Sequence, residues 1–166
     1  MNNLLILGAG QYGGIAYDIA KDTQKFDKID FLDDLSNKAI GKTNEAEKFI
    51  ETYNYAIVAI GTPAKRLEFL NSLERIGFEI PVLCSPKAYI APSAYVSPGS
   101  IIEPMAVVNS NVKVGKGCLI CAGAVINHDA IVEDGCQLDC NAVVPSSETV
   151  PQNTKLPCGC VFASNN

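Results

Sequence analysis

The sequence predicts two structural units, an α/β domain over residues 1–85 and a parallel β-helix over residues 86–150, followed by a C-terminal cap or tail over residues 151–166. Three observations support this prediction. Short apolar runs alternate with helical segments in the first half of the chain, a glycine-rich loop follows the first run, and a six-residue repeat fills the second half.

The composition is that of a folded protein. Hydrophobic residues make up 48% of the 166 residues, which is enough to build one or two small cores. The net charge of −5, from 13 basic and 18 acidic residues, lacks the basic surplus of a nucleic-acid-binding protein. A nucleic-acid partner is therefore not expected.

The N-terminus and the cysteines indicate a reducing compartment. The first apolar run, residues 4–7, ends at Gly8 and has no basic residue before it, unlike a signal peptide or a membrane span. The chain has seven cysteines, an odd number that does not suggest a disulfide framework. We expect a cytoplasmic protein with reduced thiols and no membrane span.

The first half of the chain has the pattern of a parallel sheet flanked by helices. Its four apolar runs are Leu4–Leu7, Ile29–Leu32, Ala56–Ile60 and Pro81–Leu83. Segments with helical periodicity separate them, which is typical of a Rossmann-like α/β domain.

The helix after the third apolar run has the clearest start and stop signals in the sequence. Thr62 can cap it, Pro63 fits its first position, and Gly77 can end it. One face carries Leu67, Leu70 and Leu73.

A glycine loop lies between the first run and the first helix. Residues 8–13 read G-A-G-Q-Y-G, and Asp33 and Asp34 end the second run. Such a loop brings backbone N–H groups and a helix N-terminus close to a phosphate. A dinucleotide-binding fold needs about twice the length of this N-terminal segment. The loop is therefore more consistent with a mononucleotide or a nucleotide-sugar than with a dinucleotide. A tight turn without any ligand is an equally open interpretation of the loop.

The second half has a strict period of six. Every sixth residue from Ile90 to Val150 is aliphatic, eleven in all, and the position four residues later is small in the first nine hexads. Each hexad is expected to form one flat face with its aliphatic residue inward, and three hexads complete a coil. Glycine or asparagine precedes many of the small residues, as a turn with positive φ requires: Gly99, Asn111, Gly117, Gly123, Gly135 and Asn141.

The period also places the cysteines of the repeat. Cys118 and Cys136 fall on the inward small position, where cysteine acts as a small apolar residue. Cys118 and Cys121 have the spacing of half a zinc knuckle, but a structural zinc needs four convergent ligands. We therefore expect no metal.

His128, the only histidine, falls on the third position of its hexad and therefore points out of the prism. Asn127 and Asp129 flank it, and Ser110 and Ser146 lie one coil below and above it in the pattern. An imidazole in a polar surface patch is either simply solvated or a candidate acid or base.

The order of these parts resembles the hexapeptide-repeat acyltransferases, in particular the nucleotide-sugar acetyltransferases similar to PglD and NeuD. The resemblance rests on the glycine loop 8–13, residues 31–34 (F-L-D-D), residues 59–61 (A-I-G), and the repeat with residues 127–129 (N-H-D). It covers nearly the whole chain. It implies that the β-helix is left-handed, an exception to the right-handed crossover rule.

The resemblance implies an acetyl-CoA-dependent acetyltransferase that modifies an amino or hydroxyl group of a nucleotide-linked sugar in polysaccharide or glycan biosynthesis. His128 would be the general base, with Asp129 or Glu133 orienting its ring. Relatives build each active site between neighbouring prisms, so a homotrimer is expected. The UDP-sugar site would be lined by Gly10, Tyr12, Asp33, Asp34, Ile60 and Gly61.

The chain departs from the family pattern at three places. Gln137 replaces a second histidine and would contact acetyl-CoA, as a hydrogen-bond donor that cannot carry charge. Tyr12 replaces a frequent histidine in the glycine loop. The repeat is expected to end at Glu148, which stands where a small residue is due, whereas relatives continue with coils that help to hold coenzyme A.

Two functions are consistent with these features. The pair His128 and Asp129 favours the acetyltransferase, whereas the short C-terminus favours a non-enzymatic nucleotide-sugar-binding or assembly protein that has lost coenzyme A binding. A γ-type carbonic anhydrase is excluded because its zinc needs three histidines.

Overall fold

The N-terminal domain is built on a short parallel sheet. The computed structural model describes residues 2–163. Within them, β1 (Asn3–Leu7), β2 (Lys28–Leu32) and β3 (Tyr55–Val58) pair in the order β2-β1-β3. The central strand β1 is buried along its whole length, as expected for a parallel strand covered on both faces.

Helices cover both faces of this sheet. Helix α1 (Gln11–Thr23) lies on one face, while α2 (Pro63–Ile76) and a 3₁₀ helix (Thr43–Phe49) lie on the other. Alternate residues of β1 divide between the two cores, because successive side chains of a strand point to opposite faces. The α/β layering predicted from the sequence is confirmed.

Helix α2 begins and ends where the sequence predicts. Pro63 is its first residue, and Gly77 ends it with φ of 111°. Thr62 lies at the N-cap, but its side chain makes no capping hydrogen bond, which corrects the expectation that it caps the helix. Instead, the backbone carbonyl of Thr62 accepts the N–H of Arg66.

The remainder of the described chain is a parallel β-helix of two-residue strands. The strands are β4 Leu83–Cys84, β5 Tyr89–Ile90, β6 Tyr95–Val96, β7 Ile101–Ile102, β8 Val107–Val108, β9 Lys113–Val114, β10 Leu119–Ile120, β11 Val125–Ile126, β12 Ile131–Val132, β13 Gln137–Leu138, β14 Val143–Val144, β15 Thr149–Val150 and β16 Lys155–Leu156. The predicted left-handed hexapeptide β-helix is confirmed.

The strands form the three faces of a triangular prism. Face 1 contains β4, β7, β10, β13 and β16; face 2 contains β5, β8, β11 and β14; face 3 contains β6, β9, β12 and β15. Paired residues are 18 apart, as in Ile120 with Leu138, so each coil lies in register on the one before it. The second residue of each strand points inward, and Cys118 and Cys136 are fully buried inside the prism as predicted.

The turns use the left-handed conformation that the repeat predicts. Each of the six glycines and asparagines singled out from the sequence has positive φ. Five turn residues of the prism that were not singled out also have positive φ: Met105, Asp129, Ser147, Asn153 and Gly159. Glycine, asparagine and aspartate suit this conformation, whereas Met105 and Ser147 adopt it although their side chains do not favour it.

The β-helix is longer than the repeat predicted at both ends. The run Pro81–Leu83 was expected in the α/β sheet, but Leu83 pairs with Ile101 on face 1. At the other end β16 pairs with β13, so the coil continues beyond Val150. Glu148 does not end the repeat, because its carbonyl still accepts the N–H of Ile131 at 2.8 Å. The last residues of the expected cap, 164–166, lie outside the described part of the chain.

The N-terminal domain packs on face 1 of the prism. Leu83, Ile101 and Leu119 point outward from this face and share a core with α1 and β1. Gln137, on the next coil, is also buried. Among residues 2–163, no helix is long and apolar enough to cross a membrane.

Candidate functional site

His128 lies on the corner between faces 2 and 3. It follows β11, which ends at Ile126, and 61% of its side chain is exposed. Its Nδ1 is 2.7 Å from Oδ2 of Asp129, and its Nε2 is 3.0 Å from Oγ of Ser146, one coil further on. The two ring nitrogens therefore have different partners.

Asp129 determines the proton position on the imidazole. Its φ is +62°, so its short side chain folds back to the adjacent ring. Hydrogen bonds from His128 and then from Nδ2 of Asn111, at 3.0 Å, hold the pKa of the Asp129 carboxyl below its usual value. A carboxylate only accepts, so in the neutral imidazole Nδ1 carries the proton and Nε2 keeps a lone pair. The hydroxyl of Ser146 donates to that lone pair.

Glu133 does not orient this histidine. One of its carboxylate oxygens, Oε2, accepts the N–H of Gln152 at 2.8 Å, and Glu133 follows β12 on face 3. Of the two carboxylates considered from the sequence, Asp129 is the one in contact with His128.

The motif glycines of the first loop have different roles. A Cβ on Gly8 would lie 2.8 Å from the carbonyl oxygen of Ala59, and one on Gly13 would collide with the carbonyl of Gly8. These two glycines allow close packing of strand and helix. Nothing lies within 4 Å of a Cβ built on Gly10, which lines a cavity of about 460 Å³. The middle glycine therefore leaves the loop backbone accessible to a ligand.

The two aspartates after β2 also differ. Asp33 accepts three backbone N–H groups, from Ala9 at 2.8 Å and from Leu35 and Ser36 at 2.9 Å each. These bonds, that of Ala9 foremost, lower the pKa of the Asp33 carboxyl. Both oxygens of Asp33 are thus engaged in holding the glycine loop and the next turn.

Asp34 has more capacity to bind a ligand. Its Oδ1 accepts both the N–H and the hydroxyl of Thr43, at 3.0 and 2.9 Å. Asp33, Asp34, Thr43, Ile60 and Lys65 line a cavity of about 430 Å³ at the carboxyl ends of the strands. Ligands of open α/β sheets bind at this edge.

Tyr12 and Gln137 join the glycine loop to the prism. Nε2 of Gln137 donates to Oη of Tyr12 and to Oδ1 of Asp139, each at 2.6 Å. Burial is the main cause that raises the pKa of Tyr12 to about 12, so its hydroxyl stays protonated. Gln137 is 1% exposed in the single chain. Its role in binding acetyl-CoA stays a prediction.

Gly61 is packed against the same tyrosine. A Cβ at position 61 would lie 3.3 Å from Cε2 of Tyr12, so the ring restricts this position to a small residue. The loop after β3 and the glycine loop after β1 therefore meet at Tyr12.

One chain does not bring His128 to the glycine loop. The N-terminal domain covers face 1, whereas His128 and Asp129 occupy the corner between the other two faces. The predicted substrate-binding residues form one group, joined by Gln137, and the predicted catalytic residues form another.

One protein-family model matches the part of the chain that contains the first of these groups. Residues 3–73 match the family described as the PglD N-terminal domain. The matched residues include the glycine loop 8–13, residues 31–34 and residues 59–61. No curated protein sequence matches the chain at a significant level.

Solved structures share the fold of both units. The acetyltransferase domain of PglB from Neisseria gonorrhoeae, in complex with acetyl coenzyme A, has a TM-score of 0.93 and 24% identity, covering 97% of this chain and 82% of that one. A histidine-to-asparagine mutant of perosamine N-acetyltransferase from Caulobacter crescentus, with CoA and GDP-perosamine, has a TM-score of 0.75 and 16% identity over 98% and 89% of the two chains. WeeI from Acinetobacter baumannii AYE has a TM-score of 0.74 and 16% identity, over 97% and 88%. The predicted resemblance to PglD/NeuD-like proteins is confirmed.

Two cations of the N-terminal domain were not predicted from the sequence. Lys65 lines the cavity beside Asp34, and Arg66 lies fully buried between this domain and the prism. Their position in the first turn of α2, after a predicted ligand loop, is the sequence signal that could have indicated Lys65. Nothing in the repeat or in the helix pattern distinguishes Arg66 from an exposed arginine.

Proposed function

We propose that the protein transfers the acetyl group of acetyl-CoA to an amino or hydroxyl group of a nucleotide-linked sugar, with His128 as the general base. The observation that carries the proposal is the arrangement Asp129–His128–Ser146. It leaves Nε2 of an exposed imidazole as a proton acceptor and fixes the ring from the other side. The acetyltransferases with the same fold support the choice of reaction.

The chemistry needs one proton acceptor at the corner of the prism. The nitrogen or oxygen of the acceptor sugar displaces the Ser146 hydroxyl from Nε2 and attacks the thioester carbonyl. Nε2 takes the proton of the attacking group, the C–S bond breaks, and coenzyme A leaves as a thiolate that takes this proton. Asp129 stabilises the imidazolium that forms in between.

The N-terminal domain would bind the nucleotide-sugar. The open backbone at Gly10 and the cavity beside Asp34 and Lys65 offer N–H groups, a cation and a carboxylate to a diphosphate, a ribose and a base. The resemblance favours a UDP-sugar. A structural relative binds GDP-perosamine, so both nucleotides belong in the test.

The separation of the two groups of residues favours a homotrimer. The outward side of face 2, next to His128, is apolar, and consists of Tyr89, Val107, Val125 and Val143, continued by Val161. A second copy that covers this face would place its own N-terminal domain near His128. Each active site would then combine residues of two chains.

The rival hypothesis of a nucleotide-sugar-binding protein without coenzyme A depended on a short prism. Because β16 extends the coil beyond Val150, that basis is weakened. Calorimetric titration with acetyl-CoA and then with UDP- and GDP-sugars separates the two hypotheses. We expect both ligand classes to bind, whereas absence of coenzyme A binding at millimolar concentration would leave the rival hypothesis standing.

Replacement of His128 tests the proposed base. We expect His128→Ala to lower kcat by roughly 10²–10⁴-fold, the usual contribution of a general base. Because the side chain is exposed, the midpoint of thermal unfolding and the Kd of acetyl-CoA should stay unchanged. Asp129→Asn, which suits the same turn, should lower kcat by a smaller factor. Turnover of His128→Ala at the wild-type rate would exclude His128 as the base.

A further inference from the structure

Arg66 is a fully buried cation between the two units of the chain. It lies in the first turn of α2, and its side chain is 0% exposed. Its guanidinium donates hydrogen bonds only to backbone carbonyls. Nη1 donates to Ile60 at 2.7 Å and to Gly61 at 3.2 Å, while Nε donates to Gly117 at 2.6 Å and Nη2 to Gly135 at 2.8 Å.

Such a burial is costly for a residue that serves packing alone. Arg66 forms no ion pair with any carboxylate in residues 2–163. A buried cation loses its hydration, and an apolar side chain of similar volume usually stabilises such a site at least as well. What an apolar side chain cannot do is hold four carbonyl groups in a fixed arrangement.

The two pairs of carbonyls belong to different parts of the molecule. Gly117 and Gly135 are turn residues of successive coils, with φ of +64° and +70°. Their carbonyls are fixed by the stacked prism. Ile60 and Gly61 follow β3 in the loop that contacts Tyr12, and Ile60 lines the cavity of Asp34 and Lys65. Arg66 therefore ties the backbone of the loop after β3 to the backbone of two stacked coils of the prism.

The peptide geometry of this loop has a direct consequence for a ligand. In a trans peptide the carbonyl and the following N–H point in opposite directions. Arg66 holds the carbonyls of Ile60 and Gly61, so the N–H groups of Gly61 and Thr62 point away from it. Neither N–H donates a hydrogen bond within the described part of the chain.

We infer that Arg66 is a positioning residue for the nucleotide-sugar site. From the buried side of the loop it holds the backbone of residues 60–62 in the conformation that binds the ligand, although it cannot touch the ligand itself. This inference rests on the proposed function, because it assumes that the cavity at residues 60–65 receives a nucleotide-sugar.

The experiment compares Arg66→Lys and Arg66→Met with Leu67→Ala. Leu67 packs on the same two turn glycines, Gly117 and Gly135, but does not bind the loop carbonyls. Leu67→Ala removes packing between the units and leaves the loop carbonyls held by Arg66, whereas the Arg66 variants release those carbonyls. For the full-length protein, the midpoint of thermal unfolding and the Kd values of UDP, GDP and acetyl-CoA are measured.

We expect Arg66→Met to raise the Kd of the preferred nucleotide by about tenfold or more, since it removes charge-assisted hydrogen bonds that organise the loop. Arg66→Lys should raise it less, because an ammonium can retain one or two of the carbonyls. The Kd of acetyl-CoA should change little. Leu67→Ala should lower the unfolding midpoint and leave the nucleotide Kd near the wild-type value.

The contrary outcomes are distinct from one another. An unchanged nucleotide Kd in Arg66→Lys and Arg66→Met, or an equal rise in Leu67→Ala, would show that Arg66 has only a structural role. If Arg66→Met does not fold, Arg66→Lys and Leu67→Ala alone decide the question. If the wild-type protein binds neither UDP nor GDP, the proposed function fails together with this inference.

Discussion

The folds of the prism and of the N-terminal domain are determined by different kinds of contact. In the prism every coil repeats the one before it, and a residue such as Leu138 has the same surroundings as Ile120 one coil earlier. In the N-terminal domain, by contrast, each stabilising contact is unique; for example, the hydrogen bond from Ala9 to Asp33 has no equivalent elsewhere in the described part of the domain. A periodic structure distributes its stability over equivalent layers, whereas the domain relies on a few contacts that have no counterpart elsewhere.

The largest effect should follow a cavity inside the prism. Leu138 is fully buried, so Leu138→Ala removes apolar contacts and leaves a void between two coils. We expect the free energy of unfolding, measured with urea, to fall by about 2–5 kcal/mol. Leu35, which is 98% exposed, serves as the control: Leu35→Ala should change the free energy of unfolding by less than about 0.5 kcal/mol. Equal effects of the two substitutions would contradict the assignment of Leu138 to the core.

An intermediate effect is expected for the unique contacts of the N-terminal domain. Asp33→Ala leaves the N–H groups of Ala9, Leu35 and Ser36 without their acceptor, and should cost about 1–3 kcal/mol. Asp22→Ala, on the exposed side of α1, should be close to neutral.

The effect of Asp33 also has a defined pH dependence. Its hydrogen bonds lower the pKa of the native carboxyl below the unfolded value of about 3.9. The difference in unfolding free energy between wild type and Asp33→Ala should therefore be complete above about pH 4 and shrink as the pH falls below it. A difference that grows on acidification would show that the charged carboxylate is not what stabilises the loop.

The smallest effect is expected at the exposed edge where the two units meet. Nζ of Lys116 lies 2.6 Å from Oε2 of Glu74 in α2, and the two side chains are 23% and 43% exposed. Because water and salt screen such a pair, Glu74→Ala should cost less than about 1 kcal/mol, and less still at high salt. A loss above about 2 kcal/mol would mean that the two units depend on this ion pair more than on the leucines of face 1.

The difference between the two regions also explains which predictions succeeded. The period of six located the interior of the prism, including Cys118 and Cys136, because each inward position obeys one rule. It failed at Glu148 and at Pro81–Leu83. The backbone hydrogen bonds of the coil continue past the position where Glu148 breaks the side-chain pattern, and Leu156 resumes that pattern six residues after Val150.

The site was predictable only where a local pattern carries the chemistry. The glycine loop and His128 with Asp129 are visible as short motifs, and the structure distinguishes Asp129 from Glu133 through one hydrogen bond. The contact of Tyr12 with Gln137 joins residues 125 positions apart, and Arg66 reaches carbonyls 51 and 69 residues away. Contacts over such separations depend on how the two units pack, which no local pattern encodes.

The left-handed backbone at Asp129 limits which residues evolution can place beside His128. Among the side chains that tolerate this conformation, glycine has no polar group, asparagine has no charge, and aspartate alone supplies a carboxylate. Glutamate would keep the charge, but at a backbone strain of about 1–2 kcal/mol and with one methylene too many for the 2.7 Å contact to Nδ1. The backbone conformation of this turn therefore favours aspartate over glutamate beside His128.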